Sequence, residues 1–520
     1  MKSVLFFSLL FVLSGRCLVK GDVIPTRSPT VYNEINGFVQ TRNANCKKTK
    51  KISVQNSISS DDCADMCKKT YGCKVCVLTS KEKCHMYKSC KYVVEEQDNI
   101  MLTKYRPPEM GYSTWNFVYK NANLNEMMIQ LGYMKHHGLI DAGYTIFHVD
   151  GVCTFKNKDK NGQVARDSND NLIEPTECFT YGIKNYSNTI RENGMLVSWY
   201  TAGGAKTCAN DIIRSTDKKK FKETVFRDMN MYKKWGVDRL KVDNCGMPPR
   251  GMSDVDIISH WNKMRRDVHP DLTMENCKYG CNWIRRGGKI STKKKVWEKF
   301  CPYVAESHRS FIDIRPWPER ILMVTEAIAL SSRDSNPTQG WAFADALEIC
   351  NTDFLSNRYA YKNSINTGDI NDLEIRPNGF TGASNTYELQ LGMLGIWAIT
   401  SQPLFISTDI SHCSIDMINI LKMKRLINMN QYFSGDPGTR TLKTNILGRS
   451  ISRWEKKVNT LTGSYIHVFI MDDTNEQPND ITIQQIENDC PEDYNKVVLW
   501  RTKYVRFMNV MYSCEKYIQI

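Results

Sequence analysis

Residues 238–246 read DRLKVDNCG and place charge where a buried strand normally carries apolar side chains. Lys241 lies inside the run and Asp243 closes it. An unpaired interior charge costs on the order of several kcal/mol. Either this strand lies at an edge, or its charges face something they are meant to touch. Other strand-like runs also end in polar or reactive groups: YTIFHVD at Asp150, GMLVSWY at Tyr200, TMENC at Cys277. A single aspartate after a strand is often only a helix N-cap. Several polar strand ends, with a lysine inside one strand, exceed what capping explains. Two carboxylates in one cavity suit glycoside hydrolysis, in which one stays ionised as nucleophile and the other holds a proton for the leaving oxygen. Residue types alone do not select the pair.

Side chains so far apart in the chain need a scaffold that gathers strand ends. Between residues 111 and 430, apolar runs of strand length alternate with stretches of helical spacing, such as LNEMMIQLGYMKHHGLIDAG, FKETVFRDMNMYKKWG and TYELQLGMLGIWAI. Alternation over this length predicts a parallel α/β domain, and the size suits a (β/α)8 TIM barrel, whose active sites gather at the C-terminal strand ends. After residue 433 the helical pattern fades. RSISRWEKK, GSYIHVFIMDD, DITIQQI, KVVLWRT and YVRFMNVMY predict an antiparallel β-sandwich. The expected layout is a signal peptide over 1–20, a cysteine-rich module over 21–106, the barrel over 109–432 and the sandwich over 433–520.

The chain has 520 residues, 41% hydrophobic and 24% charged, which is globular composition divided among two or three domains. The net charge of +14 comes from scattered basic runs, including residues 47–51 (KKTKK). No nucleic-acid motif accompanies them, so they read as solvated surface and nucleic acid is not an expected partner. The opening MKSVLFFSLLFVLSG has the pattern of a secretory signal, which predicts a secreted or luminal protein. Nineteen cysteines fit an oxidising compartment, and Asn185-Tyr186-Ser187 is a glycosylation sequon. Seven cysteines crowd residues 46–90, where so short a segment needs cross-links. Cys73-x-x-Cys76 lacks a second paired set with metal spacing, so no metal is expected. The run DCADMCKKTYGCKVCVLTSKEKCHMYKSC resembles an apple/PAN module, which implies a protein or glycan ligand.

From residue 111 onward the chain resembles glycoside hydrolase family 27, the α-galactosidase and α-N-acetylgalactosaminidase family. GYSTWN, GLIDAGYTIFHVDGVC, WGVDRLKVDNC, HRSFIDI, GDINDLEIRPNGFT and WAITSQPLFISTDI follow the family's motifs in order. The resemblance implies a retaining α-glycosidase with Asp243 as nucleophile and Asp313 as acid/base. It places Trp115, Asp150, Tyr200, Lys241, Lys278 and Arg309 against the sugar. It also implies disulfides Cys208–Cys245 and Cys277–Cys301, no cofactor, and an α-linked glycan or glycoconjugate as substrate. A homodimer is admitted.

The match departs from the family at three places. Gly151 replaces the second aspartate of a sugar-binding pair, Cys277-Lys278-Tyr279 replaces the segment that reads the 2-substituent, and Asn371 replaces an aspartate in DINDLE. These favour retained chemistry with altered sugar preference. The competing expectation is an inactive glycan-binding or attachment protein that uses the barrel mouth and the N-terminal module.

Overall fold

The computed structural model describes residues 34–35, 38–47, 51–71, 73, 75–87, 92–104, 106–118, 124–151, 164, 166–208, 210–277, 279, 281, 300–309, 311, 313–314, 318–331, 335, 340–350, 386–431, 437–446, 449–458, 463–472, 490, 494–502 and 507–516. The expected signal segment, Lys278 and Asn371 lie outside them. The chain divides into two compact units, one over Thr30–Pro437 and the other containing Gly438–Ile520.

The first unit contains eight parallel strands: β1 (Met110–Ser113), β2 (Ile146–Val149), β3 (Leu196–Ala202), β4 (Arg239–Asp243), β5 (Thr273–Cys277), β6 (Ser307–Arg309), β7 (Trp341–Phe343) and β8 (Leu404–Ile406). They pair in chain order from β1 to β7, and β8 pairs with β1. The circle closes just past β7, where Leu347 bridges Ile406 and its amide donates to the Phe405 carbonyl at 2.6 Å. This is the expected TIM-type barrel. Gly111 in β1 admits close contact with β2, because a Cβ there would collide with the Ile146 carbonyl.

Helices between the strands bury one face each. The helix Lys218–Trp235 buries Phe221, Val225, Met229, Tyr232 and Trp235, a 3.6-residue repeat. Asp217 caps its start through the Lys220 amide at 2.9 Å, and Gly236, with φ 79°, ends it in the left-handed conformation. Ser253 and Asp256 form a reciprocal capping box at the start of Asp254–Val268. The helix Tyr387–Ile399 is buried from Leu389 to Ile399, which explains why its apolar residues run nearly unbroken.

The N-terminal part of the same unit is a six-stranded antiparallel sheet with the helix Ser60–Lys69. Disulfides Cys63–Cys84 and Cys67–Cys73 cross-link it, so Cys73 does not form a ligand pair with Cys76. Cys76 keeps a buried thiol, pushed up to about 12 by desolvation. In the second unit, five antiparallel strands form one sheet around Ile451, Ile466, Val510 and Tyr512, with a Cys490–Cys514 disulfide. The expected strand DITIQQI lies outside the described residues.

Candidate active site

Strand β4 explains its own composition. Arg239, Lys241 and Asp243 alternate along it, so all three face the barrel interior at rising levels. Arg239 is buried, where its guanidinium meets Glu109 and Glu275 at 2.8 Å each and lies over the Phe405 ring. Both carboxylates offset the burial of the cation. Glu275 responds in kind: burial would raise its pKa, but Arg239 and Lys241 hold it below the usual range.

One level up, Lys241 Nζ lies 2.6 Å from Asp150 Oδ2 and 3.3 Å from Asp243 Oδ2. It also sits over the Tyr200 ring at 5.8 Å. Burial alone would raise the Asp150 pKa, but Lys241 and His148 outweigh it and keep the carboxylate ionised. The Asp150 amide donates to Thr114 Oγ1 at 3.0 Å, which fixes the strand end. Tyr200 is buried, and its hydroxyl lies 3.7 Å from Cys208 Sγ. Trp115 begins the short helix after β1 and is half-buried.

At the next level the register aligns Asp243 with Cys277, and Cys277 with Arg309. The Arg309 guanidinium meets Asp313 at 2.7 Å and Asp345 at 2.8 Å, and lies 3.5 Å from Cys277 Sγ. Burial would weaken its charge; Asp345, Cys277, Asp313 and Asp243 together reverse that and raise its pKa. Both expected carboxylates thus act on one cation, Asp243 from the end of β4 and Asp313 from the segment after β6. Lys241 and Arg309 supply positive charge and hydrogen-bond donors to this part of the barrel.

Two expectations on cysteines have different outcomes. Cys208 and Cys245 are bridged, and Cys245 Sγ lies 3.4 Å from Asp243 Oδ1, so the bridge holds the segment after β4. The pairing of Cys277 with Cys301 does not occur. Cys301 bridges Cys281 instead, and Cys277 keeps its thiol. The reason lies in strand geometry. Cys277 is the last residue of β5 and points inward toward Arg309, whereas Cys281 lies four residues past the strand end, beside Asn276.

Asp345 is absent from the sequence expectations. It follows β7, adopts φ 88°, accepts from the Ile314 amide at 2.9 Å and holds Arg309. It thereby ties the segment carrying Asp313 to the adjacent strand end. A signal for it exists in the sequence. FADALE, residues 343–348, has the aspartate-x-leucine-glutamate spacing of the family's D-P-D-M-L-E, and it is the segment that follows the seventh strand. His148, Ser198, Glu109, Arg239 and Glu275 also lie in this interior network without having been singled out. Gly151 has φ 82°, a conformation that side-chain-bearing residues rarely adopt.

Known proteins agree with this architecture. A family model described as alpha galactosidase A matches residues 119–357. The chain is 25% identical over 333 residues to a probable alpha-galactosidase B of Penicillium simplicissimum, covering 63% of this chain and 70% of that one. It is 23% identical over 348 residues to the alpha-N-acetylgalactosaminidase of Gallus gallus, covering 65% and 73%. The crystal structure of alpha-galactosidase I from Mortierella vinacea shares the fold with a TM-score of 0.55 at 18% identity, over 78% of this chain and 96% of that one. The parallel barrel, its strand-end carboxylates and these matches lead to one conclusion: the barrel of this chain is similar, over residues 119–357, to the α-galactosidases.

Proposed function

We propose that the chain is a retaining α-glycosidase that removes terminal α-galactosyl or α-N-acetylgalactosaminyl residues. Asp243 attacks the anomeric carbon and forms a glycosyl ester; Asp313 first protonates the leaving oxygen and then takes the proton from the attacking water. Lys241 beside Asp243 favours its ionised form and donates to sugar hydroxyls. Asp150 accepts from hydroxyls on the far side of the ring, while Trp115 and Tyr200 form apolar walls. The observation that carries this reading is Arg309, which grips Asp313 at 2.7 Å while its charge also answers to Asp243.

Chromogenic α-galactoside and α-N-acetylgalactosaminide substrates test it, with the anomeric configuration of the first product followed by NMR. Retention of configuration, lost in Asp243→Asn, is expected. If wild type and variant behave alike across a broad α-glycoside panel, the barrel mouth binds glycans without cleaving them. Activity is expected to fall on both sides of an acidic optimum, because one carboxyl must be charged and the other protonated. The apolar N-terminal run and the six described disulfides support export through the secretory pathway. No described helix is long and apolar enough to cross a membrane. A protein or glycan ligand for the N-terminal module, and a homodimer, remain part of the same proposal.

A further inference from the structure

Asp150 has its two oxygens in different situations. Oδ2 accepts from Lys241 at 2.6 Å and from His148 Nε2 at 3.1 Å, whereas Oδ1 has no hydrogen-bond partner among the described residues. His148 Nδ1 in turn lies 2.8 Å from Ser198 Oγ, and Ser198 Oγ lies 3.2 Å from Arg239 Nη1. All five side chains are buried.

The proton positions follow from donor and acceptor inventories. A guanidinium only donates, so Ser198 accepts from Arg239. An ionised carboxylate only accepts, so His148 must carry a hydrogen on Nε2. A doubly protonated ring would add a third cation beside Lys241 and Arg239 in a buried site. Burial, then Lys241 and Arg239, lower the His148 pKa against the opposite pull of Asp150, and the ring stays neutral. Nδ1 is then bare, and the one Ser198 hydrogen points to it. The other charged group near the ring is Glu275 on β5, already paired to Arg239.

We propose that Ser198 and His148 are positioning residues: the one-way chain Arg239 to Ser198 to His148 holds Asp150 in one orientation, with Oδ1 presented to a hydroxyl of the bound sugar. This rests on the glycosidase reading of the mouth. It assigns a task to the histidine in FHVD, at a site where Gly151 supplies no second carboxylate to share the grip. A single carboxylate oxygen must then be aimed by its neighbours.

The test uses the full chain labelled with 15N-histidine, together with steady-state kinetics on an aryl α-galactoside. Wild type and Ser198→Ala are both expected to show His148 in the Nε2–H tautomer, which Asp150 sets, with the Nδ1 resonance of the variant shifted by the loss of its donor. Ser198→Ala and His148→Leu are each expected to raise KM about tenfold with little change in kcat, since Asp150 grips ground state and transition state alike. The double variant should be no worse than His148→Leu, because Ser198 acts only through the ring. His148→Gln, which restores an amide donor, should recover part of the loss. An Nδ1–H tautomer in wild type overturns the proposal, as does a double variant whose loss is the product of the two singles. If the protein hydrolyses no α-galactoside, the glycosidase reading fails by itself; the tautomer and the affinity for free galactose still decide the positioning chain.

Discussion

The two sides of the barrel mouth are built differently. On the β2–β4 side, Asp243 ends a strand, its side chain is only 14% exposed, and Lys241 beside it is shared with Asp150. On the β6–β7 side, Asp313 stands four residues past Arg309 on an irregular segment and is 38% exposed. One carboxylate is set into the wall; the other is held on a tether by Arg309 and Asp345. The difference matches the two tasks proposed for them. A nucleophile must stay ionised and fixed against the anomeric carbon, while an acid/base must exchange a proton with the leaving group and then with water. Strand ends provide rigidity, and segments beyond them provide access.

The comparison breaks most visibly at the wall. Asp243→Asn is expected to lower kcat by about 10⁴ or more, because no ester can form. The loss should be similar for every substrate. Asp313→Asn should cost about 10²–10⁴ in kcat for natural galactosides and far less for an aryl galactoside with a very acidic phenol, which needs no proton to leave. Equal losses with both substrate types would mean that Asp313 is not the acid.

The tether is tested more gently. Asp345→Ala removes the partner of Arg309 and of the Ile314 amide while leaving the β2–β4 side intact. Charge-assisted hydrogen bonds contribute about 1.5–3 kcal/mol, so kcat/KM should fall about 10- to 100-fold, with the pH profile shifting on the acid/base limb. An unchanged profile would show that Asp345 does not position Asp313.

Acid should also distinguish the two sides. His308 in β6 is buried, neither ring nitrogen has a hydrogen-bond partner among the described residues, and desolvation pushes its pKa down to about 3. His148 on the opposite side has Asp150 and Ser198 as partners. A histidine whose folded pKa is depressed contributes full stability above about pH 6.5 and loses it as the unfolded chain takes up the proton below that pH. The loss continues toward pH 3 and amounts to about 2 kcal/mol at pH 5. Glu306, held down to about 2 by Arg265 and Arg106 against its burial, adds a second loss below the ordinary glutamate pKa near 4.5. Hydrogen exchange at pH 5 should therefore loosen β6 before β2, and His308→Leu should flatten the dependence of unfolding on pH between 6.5 and 5. Equal loosening of both strands would remove the proposed asymmetry.

Much of the barrel was legible because its signals are local. The apolar runs ending at Asp150, Tyr200, Asp243 and Cys277 are strands β2 to β5, with Asp150, Asp243 and Cys277 at or just past their ends and Tyr200 two residues before the end of β3. The helix Lys218–Trp235 follows the apolar spacing of FKETVFRDMNMYKKWG, including its glycine stop. β7 was missed, because three residues, Trp341–Phe343, give too short a run to register as a strand. With β7 unseen, the aspartate that follows it was sought farther along, in DINDLE, and Asp345 went unnoticed. Spacing in the chain favoured neither Cys277 nor Cys281 as the partner of Cys301. The inward turn of the final residue of β5 separates them.

Sequence by itself determined the alternating elements, the cysteine-rich flank and the presence of a lysine and aspartate on one strand face, because each depends on neighbours within a few residues. Tertiary structure decided which charges meet. Arg239 with Glu109 and Glu275, His148 with Ser198, and Arg309 with Asp345 come from separate strands. Their contacts depend on register and barrel closure, and neither is written in the spacing of any one segment.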